Sequence, residues 1–390
     1  VSRHFKFDTS VIKGVERVFL AVKELMHSKL KFLMIIIIFV LIAWLVFILS
    51  GLGNGLSTLA ASTFKNMKAD YVIFEEGSQS SMSKSLLSGQ RVPEAEKLPN
   101  IEAAAPMGST MATAMKGESS KNEDKVDIAI IGILPGSFLE PKVVEGKPLS
   151  SDNPTSVVVN TSLKDEGFKL GDTFQLDGTT ESLTIIGFVE NETYNHVASV
   201  FTPIDQWRKI AFAAPGSDKG LAEPVNAIML QGENIDATEI NNKLSGTDTV
   251  TRGEAVQGMP GYKEENGTIL MMLAFLLAIS AFVLGVFFYV ITMQKTNQFG
   301  IMKAIGASNK FLSKTIVSQV FVLSVTSILV GILLTYGTAA IMPKGMPFKL
   351  ETSLVVTYSI ILLVIAMLSS LVSVRKITKI DPLKALGRVE

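Results

Sequence analysis

The chain has 390 residues, 36 Lys and Arg against 36 Asp and Glu, 47% hydrophobic residues and no cysteine. Without cysteine there are no disulfides, no Cys-ligated zinc and no thiol chemistry. Composition and zero formal charge would still allow a greasy soluble enzyme, but the gathering of apolar residues into long runs excludes it; no nucleic-acid partner is expected.

In chain order, residues 1–17 have no firm pattern and read as an extension of the natural start or a remnant of cloning. VFLAVKELMHSKLKF follows, with Phe19, Val22, Met26 and Leu30 along one stripe and lysines elsewhere. It predicts an interfacial helix on the membrane surface, closing an N-terminal cytoplasmic segment at 1–31. KFLMIIIIFVLIAWLVFILSG then runs without a charge after Lys31, which suits a first span at 32–52, since a bilayer core needs ~20 apolar residues. A cleaved signal peptide is a poor account of so long a run with no small-residue cleavage site. Three more spans are predicted at 269–293, 315–342 and 354–374, with a short external loop at 343–353.

Charge orients these spans. Residues 1–31 carry seven Lys/Arg against three acids, 294–314 four against none, and the tail 375–390 five against two. By the positive-inside rule all three are cytoplasmic. The gap 53–268, with 18 basic and 30 acidic residues, belongs outside, and at that length it can bury its own core.

That gap is β-rich. ADYVIFEE, VDIAIIGIL, TSVVVN, DTFQL, LTIIGFVE, ASVFTPI and NAIMLQG are β-branched runs bounded by Gly, Asp, Asn and Pro. SLKDEGF, IDQWRKIAF and ATEINNKL interrupt them as helical pieces. The expected fold is an integral membrane α-helical protein, four transmembrane helices arranged one plus three, with an α+β extracytoplasmic domain, in two lobes, between helices 1 and 2. KGESSKNEDK at 116–125 is its expected mobile loop.

No enzyme motif stands up. GxxxxGK[ST], HExxH and GxSxG are absent, and His4, His27 and His196 are scattered. No catalytic residue, intrinsic cofactor or metal site is expected. GLGNG at 51–55 ends a span rather than following a strand, so Gly51 and Gly55 read as small-xxx-small spacing that lets spans approach.

The cytoplasmic segments are more specific. In QKTNQFGIMKAIGASNKF, residues 294–311, Phe299, Met302 and Ile305 recur at helical spacing before Gly306, so a short amphipathic helix presents an apolar face. In the tail, Asp381 and Pro382 suit an N-cap and first helical position. Taken singly, each is also what a solvated loop looks like.

Together, QFGIMKAIGAS at 298–308, DPLKAL at 381–386 and the one-plus-three layout resemble the FtsX/MacB-type permeases of ABC transporters, whose loop motif resembles E-x-GI-x-[KR]A[IL]GA[ST]. Gln298 departs from it where an acid is frequent. The resemblance covers residues 18–390. It implies a coupling helix seated in a separate ATPase subunit, with Phe299, Gly300, Ile301, Met302, Lys303, Ala304, Ile305, Gly306, Asp381 and Pro382 as contact residues. It implies that ATP is bound by that partner alone and that two permeases pair as a homodimer.

Within the family, ENETYNHVASVFTPI at 190–204, MPGYKEENGTILMM at 259–272 and IMPKGMPFKLET at 341–352 resemble the HrtB-type branch, which exports haem across the plasma membrane of Gram-positive bacteria with an HrtA-type ATPase. The cargo would then be haem, which without cysteine can be held by tyrosine, histidine or, weakly, methionine. Candidates are Tyr194, Tyr262, His196 and Met259, with Lys263 for a propionate. Each tyrosine reads more readily as a packed or surface aromatic, and His196 more readily still as a solvated loop residue. The rival readings are an exporter of antimicrobial peptides or lipoproteins and an FtsX-like regulator of an external protein.

Overall fold

A computed structural model describes residues 29–116, 125–179, 181–343 and 346–378. Most of the loop 116–125, the stripe Phe19, Val22 and Met26, and the tail with Asp381 and Pro382 lie outside the described residues. The chain divides into two compact units, one of residues up to Gly55 and from Thr268 on, the other of Leu56–Gly267.

Four helices are long and apolar enough to cross a membrane: α1 (Lys29–Asn66), α6 (Tyr262–Gln294), α8 (Asn309–Ile341) and α9 (Thr352–Thr378); the first unit holds α8, α9, α1 up to Gly55 and α6 from Thr268. Phe32, Ile35, Phe39, Ala43, Val46 and Phe47 recur every three or four residues on α1 and form one buried stripe. They pack with Leu284 and Phe288 of α6, Leu312, Ile316, Val320 and Leu323 of α8, and Leu362 and Ala366 of α9. Trp44 Nε1 donates to Thr338 Oγ1 at 3.1 Å, and Ser369 Oγ donates to the Ala281 carbonyl at 3.2 Å. Such bonds serve where lipid offers no partner.

Gly51 and Gly55 correct the sequence reading. A Cβ on Gly55 would stand 2.1 Å from the Pro347 carbonyl oxygen, and one on Gly51 2.4 Å from the Phe348 ring. The small residues admit the loop between α8 and α9 instead of another span. Lys349 N donates to Gly51 O at 3.0 Å, and Asn54 Nδ2 to Lys349 O at 2.9 Å. Close helix contacts lie at Gly53, where a Cβ would stand 2.5 Å from the Ile269 side chain of α6, and at Gly331, where one would meet the Ala43 Cβ at 2.8 Å.

The second unit is built on an eleven-stranded sheet. Its strands are β1 (Tyr71–Glu75), β3 (Ala103–Lys116), β4 (Lys125–Ile133), β5 (Val143–Gly146), β6 (Ser156–Asn160), β7 (Thr173–Leu176), β8 (Ser182–Val189), β9 (Thr193–Tyr194), β10 (Val197–Pro203), β12 (Ala227–Gln231) and β13 (Thr247–Thr251). The order is β13-β1-β12-β3-β4-β10-β6-β8-β5; β7 pairs with β3 and β8, and β9 with β10. β4–β10 and β6–β8 are parallel. A separate pair joins β2 (Leu87–Ser88) to β11 (Pro224–Val225). Helices α2 (Val92–Glu96), α3 (Ile204–Ala211), α4 (Ala237–Lys243) and α5 (Arg252–Gln257) complete the α+β unit.

One continuous sheet replaces the expected two lobes, and it supports two cores. Ile128, Ile130, Val157, Val159 and Trp207 belong to one; Ala129, Ile131, Val158, Tyr194 and Tyr262 belong to the other. Alternate residues of β4 and β6 thus enter different cores, as the two-residue period of a strand requires. Trp207 of α3 lies against the sheet where Gly108 and Gly132 leave room, since a Cβ on either would come within 2.3 or 2.5 Å of it. SLKDEGF forms one short 3-10 turn, Thr161–Lys164.

Candidate functional site

Two places hold the residues singled out by sequence. The first is α7 (Thr296–Ala304), between α6 and α8. Gly306 ends it with φ of +100°, a conformation that favours glycine, and Ser308 caps α8 by accepting from Phe311 N at 3.2 Å. The apolar residues separate into two sets. Phe299 is 5% exposed and packs in the membrane unit's own core, and Gly300 is buried beside it. Ile301 is 51% exposed and Ile305 80%. Ala304 and Gly306 are exposed, Met302 and Lys303 half-buried. Phe299 and Gly300 thus form the inward face of α7, packed within the membrane unit. The outward face belongs to Ile301, Ala304 and Ile305, with Phe311 beyond it.

The second place is the turn between β9 and β10. Asn195 and His196 have φ of +49° and +68°, which a two-residue hairpin of this hand requires at both positions. Asn195 N donates to the Ala60 carbonyl at 2.8 Å and His196 N to that of Leu59 at 3.2 Å. Thr193 Oγ1 donates to the Thr58 carbonyl at 3.1 Å and meets Ser62 Oγ at 2.7 Å. Next to these carbonyls α1 breaks at Ala61, with φ −142° and ψ +16°. A helix that kinks must find other donors for its carbonyls, and the hairpin supplies them.

Further along α1, Thr63 Oγ1 meets Ser199 Oγ at 2.8 Å, and Asn66 Nδ2 donates to Asn191 O and Glu192 Oε1 at 2.9 and 3.1 Å. Glu192 is 7% exposed. Burial pushes its carboxyl up to about 7, against smaller downward pulls from Asn66 and Thr63.

Both candidate tyrosines are buried. Tyr194 is 6% exposed and its ring centroid is 6.0 Å from that of Phe64. Burial raises its phenol above the ordinary value, with Ser109 pulling slightly the other way. A phenolate is what ferric iron takes, so that shift opposes ligation. Tyr262 is 9% exposed, its hydroxyl meets Ser57 Oγ at 2.9 Å, and Lys65 Nζ stands 5.2 Å from its ring centroid. Met259 is 5% exposed. Of the five candidates, His196 and Lys263 are accessible; His196 Nε2 faces Glu265 Oε1 at 3.2 Å. Among the described residues no group of three or more His, Asp or Glu could hold a metal ion.

The sequence reading missed the hairpin clamp on α1 and the buried Glu192. Its signal was present in ENETYNH, where Asn-His between a short strand and a β-branched run marks a tight hairpin.

A one-plus-three set of membrane helices with an α+β domain inserted after the first defines a polytopic membrane protein with a large extracytoplasmic segment. Residues 32–245 match the MacB-like periplasmic core domain and residues 270–382 the FtsX-like permease C-terminal domain. The chain belongs to the FtsX/MacB-type permeases of ABC transporters. Over 371 residues it is 27% identical to a protein of Staphylococcus haemolyticus provisionally named hemin transport system permease protein HrtB, covering 95% of this chain and 99% of that one. Over 372 residues it is 25% identical to an uncharacterised ABC transporter permease of Mycobacterium tuberculosis, covering 95% and 99%. It is also similar to the periplasmic region of MacB from Actinobacillus actinomycetemcomitans, with a TM-score of 0.36 and 15% identity, covering 50% of this chain and 97% of that one.

Proposed function

We propose that the chain is the permease subunit of an exporter that moves haem out of the membrane or cytoplasm of a Gram-positive cell. It would work as a homodimer with a separate ATPase of the HrtA/MacB type. The carrying observation is full-length correspondence with staphylococcal proteins of that provisional name, at 26–27% identity across 94–95% of this chain and 99% of theirs. Ile301 and Ile305 on α7 form the contact with the ATPase, an exposed apolar pair on a short helix of the kind that seats in a groove. ATP is bound and hydrolysed by that partner, and this chain passes the movement on.

Haem is the cargo and stays on no fixed iron ligand in the external unit. Of the candidate iron ligands, His196 is the accessible one, and iron there would compete with Glu265. The test is a hemin titration of the nanodisc-embedded permease, followed by visible absorbance, with wild type, His196→Ala and Tyr194→Phe. A saturable shift that exceeds the empty-nanodisc control and survives Tyr194→Phe supports the reading. A titration that matches empty nanodiscs throughout overturns haem as the cargo.

A further inference from the structure

Within the second unit, a cavity of about 180 Å³ opens between the end of α1 and the loop 134–142. Its apolar wall is Met67, Phe138, Leu139, Pro141 and Phe201, and its polar groups come from every element around it. Thr63 and Asn66 of α1 hydrogen-bond the buried Glu192 carboxyl. Asn160 at the end of β6 and Ser199 of β10 hold the Glu192 backbone carbonyl by donating to it. Glu140 is engaged in its own loop, accepting from Gly136 N at 3.0 Å and Leu149 N at 2.9 Å. Lys68 and Lys142 also line the cavity, and both are exposed.

Those two lysines are the unexplained part. Among the described residues neither has a hydrogen-bond or ion-pair partner, and the acidity of Glu192 is governed by burial, Asn66 and Thr63 with no lysine contributing. Two unpaired ammonium groups on exposed residues of the lining repel cations and attract an anion. A buried carboxyl within would repel that anion if it were ionised, but in its acid form it is a hydrogen-bond donor. Its raised value, about 7, puts the acid form within reach near neutrality. The apolar wall then selects an anion that brings hydrocarbon with it.

We propose that this cavity binds an organic carboxylate with an apolar body, the carboxylate held by Lys68 and Lys142 and hydrogen-bonded by the acid form of Glu192. Binding takes up one proton wherever Glu192 is ionised beforehand. Affinity therefore falls as pH rises through the Glu192 value, by about tenfold between pH 6 and pH 8 for a group titrating near 7.

The experiment uses the full chain in nanodiscs, with hexanoate as probe, hexylammonium as the opposite charge and empty nanodiscs as control, read by saturation-transfer NMR at pH 6 and pH 8. Hexanoate should bind about tenfold more tightly at pH 6, and hexylammonium not above the control. The Lys68→Ala, Lys142→Ala double variant should lose at least tenfold in affinity. Glu192→Gln keeps a neutral donor of the same shape, so it should bind hexanoate at both pH values and abolish the pH dependence, an outcome that a merely structural Glu192 would not produce. Equal binding of hexanoate and hexylammonium, full affinity in the lysine double variant, or an unchanged pH dependence in Glu192→Gln would each overturn the assignment. Hexanoate contains neither iron nor porphyrin, so its result leaves the haem reading standing or falling by the hemin titration.

Discussion

Glu192→Gln should stabilise the extracytoplasmic unit at alkaline pH. The folded unit holds the Glu192 proton more tightly than the unfolded chain, with the carboxyl raised from 4.5 to about 7. Below 4.5 both states are protonated and the group contributes nothing. As pH rises through the interval the unfolded state ionises first, so stability is lost progressively up to about 7 and stays lost above it. At 1.36 kcal/mol per pKa unit the full penalty is about 3 kcal/mol, most of it arising between pH 5 and pH 8. Glutamine can still take the Asn66 and Thr63 hydrogen bonds and cannot ionise. The assay is urea unfolding in nanodiscs followed by the emission of Trp207 in a Trp44→Phe background, since these are the two tryptophans. The stability difference between variant and parent should grow in the variant's favour by about 2.5 kcal/mol from pH 5 to pH 8. A difference that does not change with pH would falsify the placement of a protonated carboxyl there.

Ile305→Asp, and equally Ile301→Asp, should abolish co-purification with the ATPase while the chain still inserts, because each charge sits on the outward face of α7; Phe299→Asp should instead lower detergent-solubilised stability, measured by a fluorescence melt, since Phe299 is buried. Gly108→Ala should destabilise the external unit by roughly 1–3 kcal/mol or more by urea unfolding, because its Cβ would stand 2.3 Å from the Trp207 ring. Tyr262→Phe should cost about 0.5–1.5 kcal/mol through the lost Ser57 hydrogen bond and leave hemin absorbance unchanged.

The long apolar spans and the β-branched strands were legible because burial writes itself into composition and period. β3 was not. AAAPMGSTMATAMK is poor in β-branched residues, yet it forms a fourteen-residue strand because β12 and β4 flank it and bury its Met107, Ala105 and Ala114. Tertiary pairing overrode propensity there, and Gly108 needed to be small for Trp207. On α7 the helical spacing of Phe299, Met302 and Ile305 was real, but spacing alone cannot say which partner a stripe faces, and the membrane core claimed Phe299. Likewise Tyr194 lies in a polar-looking stretch, and only the return of α1 against the hairpin buries it. Glu192 gave no signal at all, since a buried acid looks like any other acid in a sequence.

The Ser57–Tyr262 hydrogen bond has a further consequence. It joins the tenth residue from the end of α1 to the first residue of α6, so the chain leaves the extracytoplasmic unit within bonding distance of where it came in. Lys65 doubles the tie, donating to Ser57 Oγ at 2.7 Å while lying over the Tyr262 ring. A segment whose two ends are already fastened together behaves as a cassette, able to grow, shrink or be exchanged during evolution with little disturbance to the helices that carry it.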